Sequence, residues 1–185
     1  MTNEQACVTN LIRFATLADA EAISQLVNSA YRGDSSRAGW TTEADLLGGQ
    51  RTDAAAIHEF LQGSDPLQRV LPLLCDSDGT LLACLQLELD GAEGYLGQFA
   101  VNPTRQGAGL GRALLTAAED HARSHWSCQT MRMTVLEQRP ELLAWYARRG
   151  YLPTGETVAF PYDDLRCGEP RRPDLRLRVL RKPLA

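Results

Sequence analysis

A glycine-spaced loop that opens directly into a helix is the stretch of this sequence best suited to binding chemistry. A short apolar strand, Tyr95 to Val101, ends at Asn102-Pro103, and glycines follow at positions 107, 109 and 111. A helix start carries unpaired N–H groups and the positive end of the helix dipole, and glycine has no Cβ to hold a ligand away from them. The stretch therefore predicts a site that holds a diphosphate against bare amides. On spacing alone, the alternative is a turn that only lets the helix pack closely.

Two segments carry a resemblance to a known family, the GCN5-related N-acetyltransferases (GNAT). Gln106-Gly107-Ala108-Gly109-Leu110-Gly111 matches that family's Gln/Arg-x-x-Gly-x-Gly/Ala loop, and Phe99-Ala100-Val101 matches the end of the strand before it. Trp145-Tyr146-Ala147-Arg148-Arg149-Gly150-Tyr151 is similar to the second signature, an aromatic-Tyr-x-x-x-Gly-aromatic helix end. The resemblance covers roughly residues 12–158, and the two signatures together are specific.

The resemblance implies acetyl-CoA as cofactor and transfer of its acetyl group to an amine. In the family, backbone groups of the strand pair with the pantetheine arm, and N–H groups of the loop take the pyrophosphate. The positions that this predicts as cofactor-binding are Phe99, Ala100, Val101, Arg105, Gln106, Gly107, Ala108, Gly109, Leu110, Gly111 and Arg112.

Tyr146 is the predicted general acid, because by resemblance it occupies the position that donates to the departing sulfur in many members. A phenol suits this role since its ordinary pKa, about 10, keeps it protonated at neutral pH. The alternative is a helix tyrosine packed beside Trp145. Some members carry a glutamate base twelve residues before the tyrosine, but Thr134 stands there. Glu88, Glu137 or a chain of water molecules remain candidates for the base.

The acceptor is expected to be a primary amine of a small molecule or peptide. In the family the acceptor cleft is flanked by the C-terminal strands and by the loop after the first helix, where aromatic and charged groups concentrate: Tyr31, Arg32, Trp40, Glu43 and Asp45. We predict Tyr31, Trp40 and Glu88 as acceptor-site residues, although Tyr31 and Trp40 could equally close a core edge. The acidic balance of the chain favours a cationic small molecule. Many members form homodimers, which makes a homodimer one expected assembly.

The composition excludes several classes of protein. The 185 residues, 44% hydrophobic and 23% charged, fit one ordinary globular domain with a sizeable core. The formal net charge of −4 argues against a nucleic-acid partner. No apolar run reaches membrane-spanning length, and the polar N-terminus lacks a signal-peptide pattern, so we expect a cytoplasmic location.

Neither a metal site nor a disulfide framework is expected. Five cysteines (Cys7, Cys75, Cys84, Cys128 and Cys167) are an odd number without Cys-x-x-Cys spacing. His121 and His125 have an i, i+4 spacing that can bind zinc, but no third ligand is evident.

The order of the predicted elements positions these residues on a mixed α/β sheet. A strand (12–15) and helices at 19–31, 42–47 and 52–61 precede a three-strand antiparallel meander over 70–101. The central helix then crosses over to a parallel strand at 131–135. A helix starting at Pro140 and two strands (151–160 and 175–179) complete a sheet of six to seven strands, in a single domain over residues 1–185.

Two other functions compete with acetyl transfer. A dinucleotide-binding oxidoreductase is rejected because Gly107 and Gly109 are not continued into Gly-x-Gly-x-x-Gly, and because a meander precedes the loop. A non-catalytic module of the same fold, which binds CoA as a sensor, remains an alternative.

Overall fold

The computed structural model of the chain describes residues 10–63 and 65–184. Its helices are α1 (Ala20–Tyr31), α2 (Gly33–Ser36), α3 (Ala54–Gln62), α4 (Leu110–Trp126) and α5 (Pro140–Ala147). Its strands are β1 (Leu11–Phe14), β2 (Leu47–Gly48), β3 (Arg69–Val70), β4 (Pro72–Cys75), β5 (Leu81–Asp90), β6 (Glu93–Val101), β7 (Thr130–Leu136), β8 (Leu152–Ala159), β9 (Glu169–Pro170) and β10 (Arg176–Pro183). Within the described ranges, none of the helices has the length and apolar character needed to cross a membrane.

The predicted mixed α/β sheet is confirmed. Its strands lie in the order β1-β4-β5-β6-β7-β10-β8, with β3 also paired to β5. The meander β4-β5-β6 is antiparallel, and the α4 crossover makes β6 and β7 parallel. A separate two-stranded sheet joins β2 to β9. This pairing brings the segment after α1 close to the segment before β10.

Helices cover both faces of the sheet because each presents an apolar stripe to it. On one face, Ile23 and Val27 of α1 pack with Ile57 of α3 over the meander. On the other face, Leu114 and Ala118 of α4 are fully buried in the larger core cluster. The 17-residue helix α4 begins at Leu110, with Gly109 of the glycine-spaced loop as its N-cap. The sheet and α4 together therefore fix the position of that loop.

A bulge and an incomplete strand pair open the cleft of the molecule. The register of β5 against β6 shifts so that Gly97 and Gln98 lie opposite Gln86 alone. A bulge of this kind bends its strand and re-aims its side chains. Parallel pairing of β6 with β7 ends at Leu96 and Met133, although both strands continue. The two strand ends therefore splay apart and leave a space between them.

The prediction of a helix over 42–47 is wrong. That segment makes a single turn, in which the Glu43 carbonyl accepts from the N–H groups of Leu46 and Leu47, and it then becomes β2. The short helix α2 lies instead in the stretch that was predicted as a loop. Leu46 and Leu47 of this segment are buried with Leu136, Phe160 and Leu175, so tertiary contacts decide their conformation.

Two boundaries also differ from the sequence-based expectation. The cap of α3 is Asp53, whose Oδ1 accepts from the Ala56 N–H at 2.7 Å, and not Thr52. The predicted strand at 70–75 is divided into β3 and β4 because Pro72 has no N–H for the β5 ladder. This division gives eight strands in the main sheet. The strand β4 is not an edge strand, since β1 pairs with its other side.

Candidate active site

The splayed ends of β6 and β7 open into a cleft that Tyr146 divides into two cavities. The first, with a volume of about 290 Å³, lies between the end of β6, the start of α4 and α5, and we call it the loop cavity. The second, of about 150 Å³, lies between β6, β7 and the segments near 43–51 and 160–167, and we call it the strand cavity. Among the described residues, Tyr31, Arg139, Leu142 and Tyr146 line both.

The end of β6 presents backbone groups to the loop cavity. The Tyr31 hydroxyl donates to the Phe99 carbonyl at 2.9 Å and accepts from the Phe99 N–H at 3.4 Å. The Gln106 side-chain amide donates to the Val101 carbonyl at 3.3 Å. Among the described residues, only side chains bond these groups on the side away from β5. This edge is therefore suited to pairing with an extended ligand.

The loop before α4 exposes the helix start to the same cavity. Gly109 is the N-cap of α4 with φ +81°, and Gly107 has φ +89°, so both adopt a conformation that favours glycine. A Cβ at either position would stand in open space, with no atom within 4 Å. The first N–H groups of α4 have no partner within the helix. The loop is therefore a cradle that an anion can approach closely.

Two arginines, Arg112 and Arg149, add positive charge to this cradle. Arg112 and Arg149 line the loop cavity, and burial, followed by the charges of Arg148 and Arg112, lowers the pKa of Arg149. The Arg149 Nη1 donates to the Trp145 carbonyl at 2.7 Å, and its buried Nε has no partner in the described part of the chain. A ligand with phosphate groups would balance these charges.

Aromatic side chains close the loop cavity on its outer side. Trp40 stacks on Trp145 with ring centroids 6.3 Å apart, and Phe99 meets Trp145 edge-on at 6.1 Å. The backbone N–H of Trp40 also donates to the Gln106 side-chain oxygen Oε1 at 3.0 Å. Trp40, predicted as an acceptor-site residue, lines the loop cavity and not the strand cavity.

Tyr146 lies at the end of α5, with only 5% of its surface exposed. Its ring packs edge-on against Trp145 and Tyr151. Burial, with a smaller contribution from Tyr31, raises the pKa of the Tyr146 phenol. Within the described residues, no group hydrogen-bonds its hydroxyl. The phenol therefore keeps its proton at neutral pH and is available to donate it to a bound molecule.

Glu43 is a buried carboxylate at the edge of the strand cavity, and two guanidinium groups hold it. Arg32 Nη1 lies 2.6 Å from Glu43 Oε2, and Arg139 Nη1 lies 2.7 Å from Oε1. Burial raises the pKa of Glu43, but the charges of Arg139, Arg51 and Arg32 outweigh this and lower it. A carboxylate with both oxygens bonded and a lowered pKa is a poor proton acceptor.

The other candidate bases lie outside both cavities. Glu88 pairs with Arg69 at 3.0 Å and faces a separate surface pocket, so the structure does not bring it to Tyr146. Glu137 pairs with Arg178 at 2.5 Å. Thr134 does line the strand cavity, with its hydroxyl 3.3 Å from that of Tyr95.

Most of the predicted cofactor positions line the loop cavity. Those that do are Phe99, Ala100, Val101, Gln106, Gly107, Gly109, Leu110, Gly111 and Arg112. Arg105 and Ala108 are exposed and lie outside its lining.

Among the histidines and cysteines of the described residues, Cys167 is the one that lines a cavity of the cleft. His121 and His125 stack at 4.4 Å on α4, and no group of three potential metal ligands gathers in the described residues. Cys7 lies outside the described residues, and the free cysteines Cys75, Cys84 and Cys128 are buried. The exception is Cys167, which lines the strand cavity.

Three arginines of the cleft were missed by the sequence reasoning. Arg149 lies inside the second signature, so the motif offered a signal. Arg139 directly precedes Pro140 at the helix start, and Arg51 follows two glycines and a glutamine, with no pattern that marks either as a site residue. They come together only through the fold.

Comparison with known proteins agrees with this geometry. The sequence model of the acetyltransferase (GNAT) family matches residues 21–151. No curated protein is similar enough in sequence to count as a relative.

Solved structures with the same fold include several acetyltransferases. The Escherichia coli ribosomal-protein-S18-alanine N-acetyltransferase is 18% identical with a TM-score of 0.68, covering 96% of this chain and 95% of that one. The protein yncA of Salmonella typhimurium, assigned as an acetyltransferase and solved with acetyl-CoA, is 21% identical with a TM-score of 0.68, covering 95% and 94%. The Vibrio cholerae spermidine/spermine N-acetyltransferase SpeG is 12% identical with a TM-score of 0.66, covering 95% and 92%.

Proposed function

The chain belongs to the GNAT acetyltransferase family, and from that premise we propose that it transfers the acetyl group of acetyl-CoA to a primary amine by direct attack in a ternary complex. The acceptor is the amine of a small molecule or peptide. The observation that carries this proposal is the position of Tyr146, which lines both the loop cavity and the strand cavity. A donor bound in one cavity and an amine bound in the other would meet at its hydroxyl.

The residues of the loop cavity fit acetyl-CoA. The open cradle at Gly107 and Gly109, with the unpaired Nε of Arg149 beside it, suits a diphosphate. The backbone edge at Phe99 and Val101 suits an extended amide-bearing arm, which would replace the bonds that Tyr31 and Gln106 now make. When bound, acetyl-CoA supplies an activated acetyl group on a thiol that can leave.

Tyr146 acts in this proposal as the hydrogen-bond and proton donor to the leaving sulfur. Burial keeps its phenol protonated, and its hydroxyl is free of partners among the described residues. No carboxylate in the described cleft is placed to act as base, because Arg32 and Arg139 hold both oxygens of Glu43. The amine therefore reacts in its neutral form and passes its proton to water. We expect kcat/KM to rise with pH up to the pKa of the amine itself.

Thermal unfolding with acetyl-CoA, CoA, NAD and ATP tests the cofactor. A ligand at about 100 times its Kd adds roughly 2.7 kcal/mol, which raises the Tm of a chain of this size by about 5 to 10 °C. We expect a shift with acetyl-CoA and CoA and none with NAD. The absence of a shift with both CoA species would overturn the proposal.

Turnover of Tyr146→Phe tests the catalytic role. Loss of a general acid lowers kcat by about a hundredfold or more, while the shift with CoA stays unchanged. Tyr162→Phe is the matched control, since Tyr162 loses hydrogen bonds to Arg172 and Leu175 outside the cleft. Acetylated product is measured by mass spectrometry. Full activity of Tyr146→Phe would remove Tyr146 from the mechanism, and CoA binding without any turnover of amines would favour the non-catalytic sensor.

A further inference from the structure

The strand cavity carries more positive than negative charge. Arg32, Arg51 and Arg139 lie in or against it, and Glu43 is the carboxylate that they share. The exposed carboxylate of Glu141 also lies 3.9 Å from the Arg139 Nε. A partly buried cavity with an excess of guanidinium groups is unfavourable unless an anion enters it. The net charge of the cavity is therefore positive, although the formal net charge of the whole chain is −4.

Arg51 is the guanidinium of this cluster that makes no direct bond to a carboxylate of the described residues, although its charge acts on Glu43 at longer range. Its guanidinium carbon lies 5.6 Å from the centre of the Tyr31 ring, and its buried Nε has no hydrogen-bond partner among the described residues. Within the same residues it forms no ion pair, whereas Arg32 and Arg139 both bond Glu43. Its backbone N–H donates to the Asn28 side chain at 2.7 Å, which fixes this residue against α1.

The same cavity also contains an unsatisfied acceptor. The Oε1 of Gln98 is buried and has no partner in the described part of the chain. Gln98 lies in the bulge of β6, next to Phe99 and therefore next to the backbone edge of the loop cavity. A ligand that fills the cavity would complete it by accepting from Arg51 and donating to Gln98.

Resting on the proposed acetyl transfer, we propose that the acceptor is a small amine that also carries a carboxylate or phosphonate, and that Arg51 binds this anionic group. The guanidinium fork suits such an oxyanion because it can donate two parallel hydrogen bonds. The amine of the same molecule lies towards Gln98 and Tyr146. The cavity volume of about 150 Å³ suits a small molecule. The charge of the cavity disfavours the cationic acceptor that the net charge of the chain suggested.

Acetylation of matched amine pairs tests this assignment. The probes are the common α-amino acids, the corresponding amino acid amides, aminoalkylphosphonates and linear diamines, each assayed with acetyl-CoA by mass spectrometry. We expect at least one acid to have a kcat/KM about tenfold to a hundredfold above that of its amide. Arg51→Gln should remove this ratio by raising KM for the acid alone. Arg51→Lys, which keeps the charge without the fork, should retain part of it. The carboxylate and phosphonate arms identify which oxyanion is preferred.

Arg37→Gln is the control, because Arg37 is an exposed arginine paired with Asp45 outside the cleft, and we expect it to leave the ratio unchanged. Use of the amides as efficient as that of both the acids and the phosphonates, preference for diamines, or an unchanged ratio in Arg51→Gln would overturn the anion site while leaving acetyl transfer intact. If no amine is acetylated, the anion site is tested by the thermal shifts that the same acids and amides cause in the CoA-saturated protein. Stabilisation by acids but not by amides, lost in Arg51→Gln, would support the site, and equal shifts would overturn it.

Discussion

The two cavities that meet at Tyr146 are built in opposite ways. Half of the residues that line the loop cavity belong to one continuous stretch, 99–112, and this stretch presents backbone groups to the cavity. The strand cavity includes side chains from residues as far apart in the sequence as Glu43 and Arg139, which form a buried ion pair. The shape of the loop cavity depends on glycines that leave backbone groups accessible, whereas the strand cavity depends on which charged side chains line it.

The two cavities also differ in whether a carboxylate neutralises their arginines. At the loop cavity, Arg112 and Arg149 have no carboxylate partner among the described residues, so their charge remains for a ligand. At the strand cavity, Glu43 neutralises part of the charge of Arg32 and Arg139 and keeps both in place. Substitutions in the two cavities should therefore have different signatures, binding loss in one and stability loss in the other.

The largest expected effect is on stability, from Glu43→Gln. This change leaves Arg32 and Arg139 as buried cations without their carboxylate, which costs about 3–5 kcal/mol. Asp45→Asn is the matched control, because the Asp45–Arg37 pair is exposed to solvent, which screens it, and its loss should change stability far less. The free energy of unfolding in urea measures both. Equal losses in the two variants would show that burial does not strengthen the Glu43 cluster.

The pH dependence of stability should distinguish the same carboxylate. The pKa of Glu43 is lowered in the folded chain, so its unfolded form takes up protons first as the pH falls. Its contribution is therefore complete above the ordinary glutamate pKa, about 4.3, and is lost as pH falls below that value. The wild type should lose stability more steeply than Glu43→Gln in this acidic window. Parallel curves for the two proteins would contradict the lowered pKa.

Gly109→Ala should weaken cofactor binding beyond its effect on folding. An alanine at φ +81° costs about 1–2 kcal/mol of stability, and its Cβ would stand in the cradle. Gly79→Ala is a matched control, since Gly79 has φ +82° and equally open surroundings in the turn between β4 and β5. Both variants should lose similar stability, and only Gly109→Ala should raise the Kd for CoA in calorimetry. Unchanged affinity in Gly109→Ala would mean that the loop does not hold the phosphates.

The smallest expected effect is that of Trp40→Ala. Trp40 is 44% exposed, and its stacking on Trp145 contributes only about 0.5–1.5 kcal/mol. Removal of this outer wall should raise KM for acetyl-CoA by a few-fold and leave KM for the amine unchanged. Steady-state kinetics with each substrate varied in turn will separate the two constants. A change in KM for the amine alone would show that Trp40 belongs to the acceptor site.

The loop cavity could be predicted from the sequence because its chemistry is local. Glycine spacing before an apolar helix identifies the cradle between Gln106 and Gly111, and the structure places most of those residues on the cavity wall. The strand order β4-β5-β6 and the parallel β7 follow from alternating apolar residues and a helical crossover. The position of Tyr146 beside this loop agrees with the second signature. In each case a single segment contains the pattern that decides its structure.

The strand cavity was decided by the tertiary structure. Glu88 and Glu137 have the right residue type for a base, yet each is neutralised by an arginine outside the cleft. Conversely, no spacing relates Arg51 to Arg139. The segment at 42–47 was predicted as a helix because its own sequence gives no sign that its end pairs with β9. A backbone cradle needs only local geometry, which neighbouring residues specify. A charged pocket depends on which distant side chains the fold brings within a few ångströms.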